Sequence, residues 1–309
     1  MNTRKKNSIA ANLKKDFRIN GTLYLMVLPV ILFYLIFCYK PMYGALIAFQ
    51  DYAPPLGFLR SPWVGLDNFI RFFSAPDFKR LVSNTLFISL SSLICGFPAP
   101  IIFAILINEL KNEKYKRVVQ TASYLPHFIS IVVVCGMIRD FVGDRGFISN
   151  FVAIFTRQNT NLLSIPSLFV PIYVISGIWQ GIGWESIIYL AALTGIDQTL
   201  YEAASIDGAG KWRQLVNITI PGIVPTIVIM LILRIGGLLN VGFEKIILLY
   251  NPVTYSTADV ISSYVYRYGF EVQDWSYSTA VGLFNAVINF LLLVSANTIS
   301  KKFNDTGLW

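Results

Sequence analysis

Histidine occurs once in the 309 residues, at His127. A metal centre built on imidazoles therefore has no ligand set, and an intramembrane protease of the Ser/His or His/carboxylate kind has little to work with. The three cysteines, Cys38, Cys95 and Cys135, stand apart in apolar stretches and give neither a disulfide framework nor metal-ligand spacing. A Gly-x4-Gly-Lys-Ser/Thr phosphate loop is missing, so any nucleotide energy comes from another polypeptide. Charge is scarce too: 14% of residues are charged, against about 25% in soluble domains. Neither an internal repeat nor a low-complexity segment is present.

What the chain has is apolar surface. Hydrophobic residues make up 55% and mean hydropathy is +0.58, more than one or two soluble cores could bury. A bilayer is the natural solvent. Spans need about 20 mostly apolar residues, and six stretches qualify: 22–40, 82–107, 122–142, 168–194, 220–242 and 278–299. The spacing predicts an all-α integral membrane fold with a basic tail at 1–21, a six-helix body at 22–300 and a short tail at 301–309. The first apolar run lacks a small-x-small cleavage site, which makes it a retained anchor.

Net charge is +8, and Arg4, Lys5, Lys6, Lys14, Lys15 and Arg18 crowd the start. Directly before an apolar run, such a patch is a cytoplasmic flank and not a nucleic-acid site. With the N-terminus inside, the inner segments hold 14 of the 25 lysines and arginines, which places both termini in the cytoplasm. The 41–80 stretch then lies outside. Its aromatics (Phe49, Tyr52, Phe58, Trp63, Phe69, Phe72, Phe73) fit either a packed outer cap or an interfacial belt.

On the inner side, the 195–219 loop has the punctuation of a short helix. Asp197 can cap it, Leu200 to Ile206 continue it, and Gly208 sits where a left-handed terminator belongs. Ala203 and Ala204 offer a partner close approach, and Glu202 offers a carboxylate to a basic group. Taken alone, the segment could also be a plain surface connector.

The loop resembles the EAA motif of ABC-importer permeases. Glu202, Ala203, Ala204, Gly208, Ile218 and Pro221 fall at the motif spacing, with Ile220 in place of leucine. Tyr124–Ser130, Ser83–Leu86 and Trp63–Phe69 resemble carbohydrate-importer permeases of the maltose type, closest to the branch for polysaccharide-derived and uronate oligosaccharides. The resemblance covers residues from about 20 to 300. It implies a type I ABC-importer permease fold in a bacterial cytoplasmic membrane and transport of a carbohydrate. It also implies that Glu202, Ala203, Ala204, Asp207 and Gly208 couple to an ATPase. The implied partners are a second related permease, two ATPase subunits that carry ATP and Mg, and an extracytoplasmic solute-binding protein. No cofactor is expected in this chain. A permease for a non-sugar solute and a stand-alone secondary transporter are the alternatives.

For cargo, polar and aromatic groups within spans are the candidates. Trp179, Gln180, Trp184 and Glu185 lie in the fourth span, with Gln180 and Trp184 on one helical face. Ser278, Gly282, Asn285 and Asn289 make a stripe in the sixth, from which Asn285 is chosen. The structural alternatives are an Asn285/Asn289 bond to a neighbouring helix with Gly282 allowing close packing, and a Glu185–Arg234 pair. His127, next to Pro126, fits a packing role better than a ligand role.

Overall fold

The computed structural model describes residues 9–156, 161–304 and 307–308. Arg4, Lys5 and Lys6 of the basic tail, and Asp305, Thr306 and Trp309 of the other, lie outside the described residues. Among the described residues the fold is helical, with one antiparallel bridge between Gln50 and Trp63.

Five helices are long and apolar enough to cross a membrane: α1 (Asp16–Phe49), α2 (Phe78–Asn108), α5 (Pro166–Thr194), α7 (Lys211–Gly236) and α9 (Trp275–Lys302). A sixth candidate is a bent pair, α3 (Glu113–Phe128) and α4 (Ile131–Phe155), which meet at 100° and form either a broken span or a re-entrant loop. The span expected over 122–142, with its interruption at Pro126 and His127, is therefore two helices. Pro126 removes a backbone donor, Leu125–Phe128 tightens to a 3-10 turn, and Ile129 is extended. Ser130 then caps α4, accepting the Val133 amide at 3.4 Å. Shorter helices complete the frame, among them α6 (Gln198–Ile206) and α8 (Phe243–Leu249).

Prolines shape the spans without ending them. Three π turns, Tyr34–Tyr39, Ser92–Gly96 and Leu215–Thr219, each stop two residues before a proline: Pro41, Pro98 and Pro221. A proline ring clashes with the carbonyl four residues back and offers no N–H. Widening one turn relieves both problems while the helix continues.

The bundle is centred on α5, which packs chiefly on α2, while α7 packs on α9. At Gly183 of α5 a Cβ would collide with the Ser123 carbonyl oxygen of α3. Gly183→Val is expected to destabilise the bundle by ~1–3 kcal/mol through overpacking, read as a lower melting temperature in detergent; an unchanged melting temperature would contradict the close approach. At Gly282, by contrast, no atom lies within 4 Å of a built Cβ, so the close-packing role considered for it is not found. Helix α1 stands on the flank with no buried residue in its apolar window. It reaches the bundle through residues 43–49, which pack on α9.

The 41–80 stretch is shorter as a loop than expected, because helical turns run to Phe49. Its aromatics divide between packed and exposed positions. Phe72 is fully buried against Tyr264, Tyr277 and Phe284, while Trp63 and Phe73 stay exposed. The stretches that carried the sugar-permease resemblance turn out to be joints. Asn68 donates to the Ala48 and Gln50 carbonyls at 3.0 and 3.2 Å. Asn84 donates to the Asp259 carbonyl at 3.0 Å, and Thr85 Oγ1 accepts the Ile261 amide at 3.0 Å. Those two bonds fasten α2 to the segment between α8 and α9. Tyr124–Ser130 is the break between α3 and α4.

Candidate functional site

Two places gather functional side chains. The first is α6 and its elbow. Asp197 caps the helix as expected, its Oδ1 accepting the Thr199 amide at 2.9 Å. That bond holds the Asp197 carboxyl below the usual carboxylate range. At the other end Gly208 is left-handed with φ of 74°. Its N–H donates to the Ser205 carbonyl at 3.1 Å, and the Ala209 N–H donates to Ala204 at 2.8 Å. This double closure is a Schellman motif, which satisfies two of the last carbonyls and stops the helix.

Glu202, Ala203, Asp207 and Gly208 are exposed, whereas Ala204 is half-buried, so the small-residue face is narrower than the sequence suggested. Leu200 and Ile206 enlarge it with apolar surface; Ile206 is 86% exposed. Ala203 and Ile206 are three apart, and Glu202 and Ile206 four, so one face carries them. Sequence reasoning passed over Ile206, although an isoleucine in a polar loop beside a glycine stop was a visible signal. Tyr201 and Ser205 point the other way, toward the start of α7.

The second place is a cavity of about 480 Å³ among α2, α5, α7 and α8, within the usual size range for a ligand site. Gln180, Glu185, Arg234, Asn240 and Lys245 line it along with Ser89 and Tyr173. A smaller one of about 270 Å³ shares Glu185, Leu233 and Arg234. Glu185 Oε1 and Arg234 Nη1 are 4.0 Å apart, both half-exposed, which is a loose pair at best.

Lys245 is the group that sequence reasoning missed. It is 7% exposed, its Nζ donating to the Tyr173 carbonyl at 3.0 Å and lying 4.7 Å from the Tyr173 ring centroid. No carboxylate pairs with it among the described residues. A lone lysine ahead of Ile246–Leu249 was the available clue, but only the tertiary fold, with α8 packed on α4, brings its Nζ to the Tyr173 carbonyl of α5 at the cavity wall.

The other cargo candidates are divided. Gln180 both lines the cavity and donates to the Ile129 carbonyl at 3.3 Å, across the α3–α4 break. Trp184 stacks on His127 with centroids 4.6 Å apart and planes 2° from parallel, the packing role expected of that histidine. Trp179 is exposed and does not line the cavity. Asn285 also stays outside it, donating to Asn240 Oδ1 at 3.1 Å. Asn289 donates to the same oxygen at 3.0 Å and accepts the Leu239 amide at 3.0 Å. These asparagines tie α9 to the turn after α7.

Residues 96–305 match the family described as the binding-protein-dependent transport system inner membrane component. The chain is 46% identical over 300 residues to Protein LplB of Bacillus subtilis (strain 168), covering 97% of this chain and 93% of LplB. It is 45% identical over 290 residues to the polygalacturonan/rhamnogalacturonan transport system permease protein YteP of the same organism, covering 93% and 90%. Among solved structures, a chain of a bacterial alginate ABC transporter, in complex with an alginate pentasaccharide-bound periplasmic protein, superposes with a TM-score of 0.87. Identity there is 44%, over 95% of this chain and 99% of that one. A family match over most of the length, relatives this similar and a shared helical frame lead to one assignment: the chain belongs to the inner membrane components of binding-protein-dependent transport systems.

Proposed function

We propose that this chain is one permease half of an ATP-driven importer for acidic oligosaccharides, with α6 as the element that docks on a partner ATPase. The observation that carries the coupling role is the outward face of α6, where Leu200, Ala203 and Ile206 stand beside Glu202 on a helix closed at both ends. An apolar face with a free carboxylate suits a groove with a basic rim. The lysine and arginine bias supports a cytoplasmic position for that face and both chain ends. A solute-binding protein, a second permease and two ATPase subunits complete the assembly.

The cavity supports the cargo class. Arg234 and Lys245 face one carboxylate, Glu185, leaving an excess of positive charge inside an apolar frame. A buried cation without a carboxylate partner favours an anionic ligand. Gln180 and Asn240 add hydrogen-bonding groups suited to hydroxyls. The reading agrees with relatives named for polygalacturonan and rhamnogalacturonan, and for the acidic polysaccharide alginate.

The test of docking is co-purification. Glu202→Ala together with Ile206→Asp is expected to lower ATPase recovered with the membrane subunits by roughly tenfold, the worth of a charge-assisted bond or a buried anchor. Full recovery of the ATPase would remove α6 from the docking surface.

A further inference from the structure

The elbow after α6 poses a mechanical problem. Residues 207–210 read Asp-Gly-Ala-Gly, and two glycines in four residues make a soft joint. If α6 is pushed by a docked ATPase, motion would dissipate there unless something spans the joint. Side chains do span it. Tyr201 Oη meets Thr219 Oγ1 at 2.9 Å, and Thr219 Oγ1 donates to the Gln214 carbonyl at 3.5 Å. Gln214 Nε2 donates to Ser205 Oγ at 2.9 Å and to the Ala209 carbonyl at 3.0 Å. Ser205 Oγ in turn donates to the Tyr201 carbonyl at 2.7 Å, closing a ring of bonds between α6 and α7.

Ser205 is exposed and Tyr201 half-buried, but water has little access to the other two members. Gln214 is 8% exposed and Thr219 is 4% exposed, so their bonds compete poorly with solvent and hold more firmly than surface contacts. The π turn Leu215–Thr219 contributes directly, since it contains Thr219 and is the turn widened ahead of Pro221. The Ile220 amide there donates to the Leu215 carbonyl, five residues back. The proline of the motif thus sets the geometry of the helix stretch that receives α6.

We propose that Tyr201, Gln214 and Thr219 are positioning residues that brace the glycine elbow, so that α6 and the fifth span move as one body. The proposal rests on α6 being the docking element. None of the three needs to touch the ATPase; Gln214 and Thr219 are turned inward, and Tyr201 faces α7.

The experiment uses the whole importer reconstituted in vesicles with its ATPase and binding protein. Tyr201→Phe removes one hydroxyl and leaves packing intact, and Gln214→Leu removes the second bridge. In the double variant the ATPase is expected to co-purify at the wild-type level and to keep hydrolysing ATP. Cargo moved per ATP is expected to fall roughly tenfold, given the usual worth of two hydrogen bonds. Wild-type cargo per ATP in the double variant would overturn the brace. So would loss of ATPase from the complex in the mild Tyr201→Phe variant, because the ring would then be a folding contact for the docking face. Failure of the docking reading is separately visible: Glu202→Ala with Ile206→Asp would then leave both co-purification and uptake intact.

Discussion

Replacement of Lys245 by methionine is expected to lower ATP-driven uptake of an acidic oligosaccharide by roughly tenfold to a hundredfold, the value of one hydrogen bond to a charged group. Methionine keeps the length and most of the volume, so the packing of α8 on α4 is retained. What disappears is a cation held 3.0 Å from the Tyr173 carbonyl at the wall of the cavity. Lys245→Arg keeps the charge and should recover part of the rate, though a planar fork fits a point-charge site imperfectly. A neutral oligosaccharide of the same length serves as the control. Equal loss for neutral and acidic cargo would make Lys245 a packing residue, and no loss for either would remove the cavity from the transport path.

Asp259→Leu should have the largest effect on folding. Asp259 is fully buried and receives Arg267 through two bonds, at 3.2 and 2.8 Å. Arg80 at the start of α2 approaches it at 3.3 Å, and Ser263 donates to it at 2.9 Å. One carboxylate thus joins α2 to the segment ahead of α9. Removing it strands the Arg267 guanidinium and leaves Arg80 with Asp77 alone, at 2.9 Å; breaking a buried pair costs about 3–5 kcal/mol. The apparent melting temperature in detergent is expected to drop on the order of 10 °C. Asp259→Asn, which keeps some of the bonds, should fall between. A leucine variant that melts with the wild type would mean that water reaches the two arginines and solvates them.

Much of this protein was legible in order along the chain, because its signals are local. Apolar runs of span length follow from the solvent a bilayer provides, and five of the six expected spans appear as continuous helices. Asp197 and Gly208 mark the ends of α6 through backbone groups only a few residues away. The interruption of the third span at Pro126 and His127 was legible too, but its angle was not, because hydropathy counts apolar residues without direction. It does not register that a proline followed by a serine cap turns the chain by 100°.

The cargo site was legible only in part, for a different reason. Gln180 and Glu185 could be named from their polarity within a span, and they do line the cavity. Asn285 and Trp184 have the same polarity signal but spend it on Asn240 and His127. Sequence spacing says which residues share a helix face, not which helix that face meets. Lys245 shows the converse, since its place depends on the Tyr173 carbonyl of α5, 72 residues away.

The sequence by itself determined the solvent, the apolar runs of span length, the family motif and the ends of α6, all set by runs of hydropathy and by neighbours within a turn or two. Tertiary structure alone decided that Lys245 faces a cavity, that Asp259 gathers two arginines, and that Tyr201 and Gln214 close the elbow of α6 onto α7. Those are contacts between elements, and their partners are chosen by how helices pack, which no local pattern records.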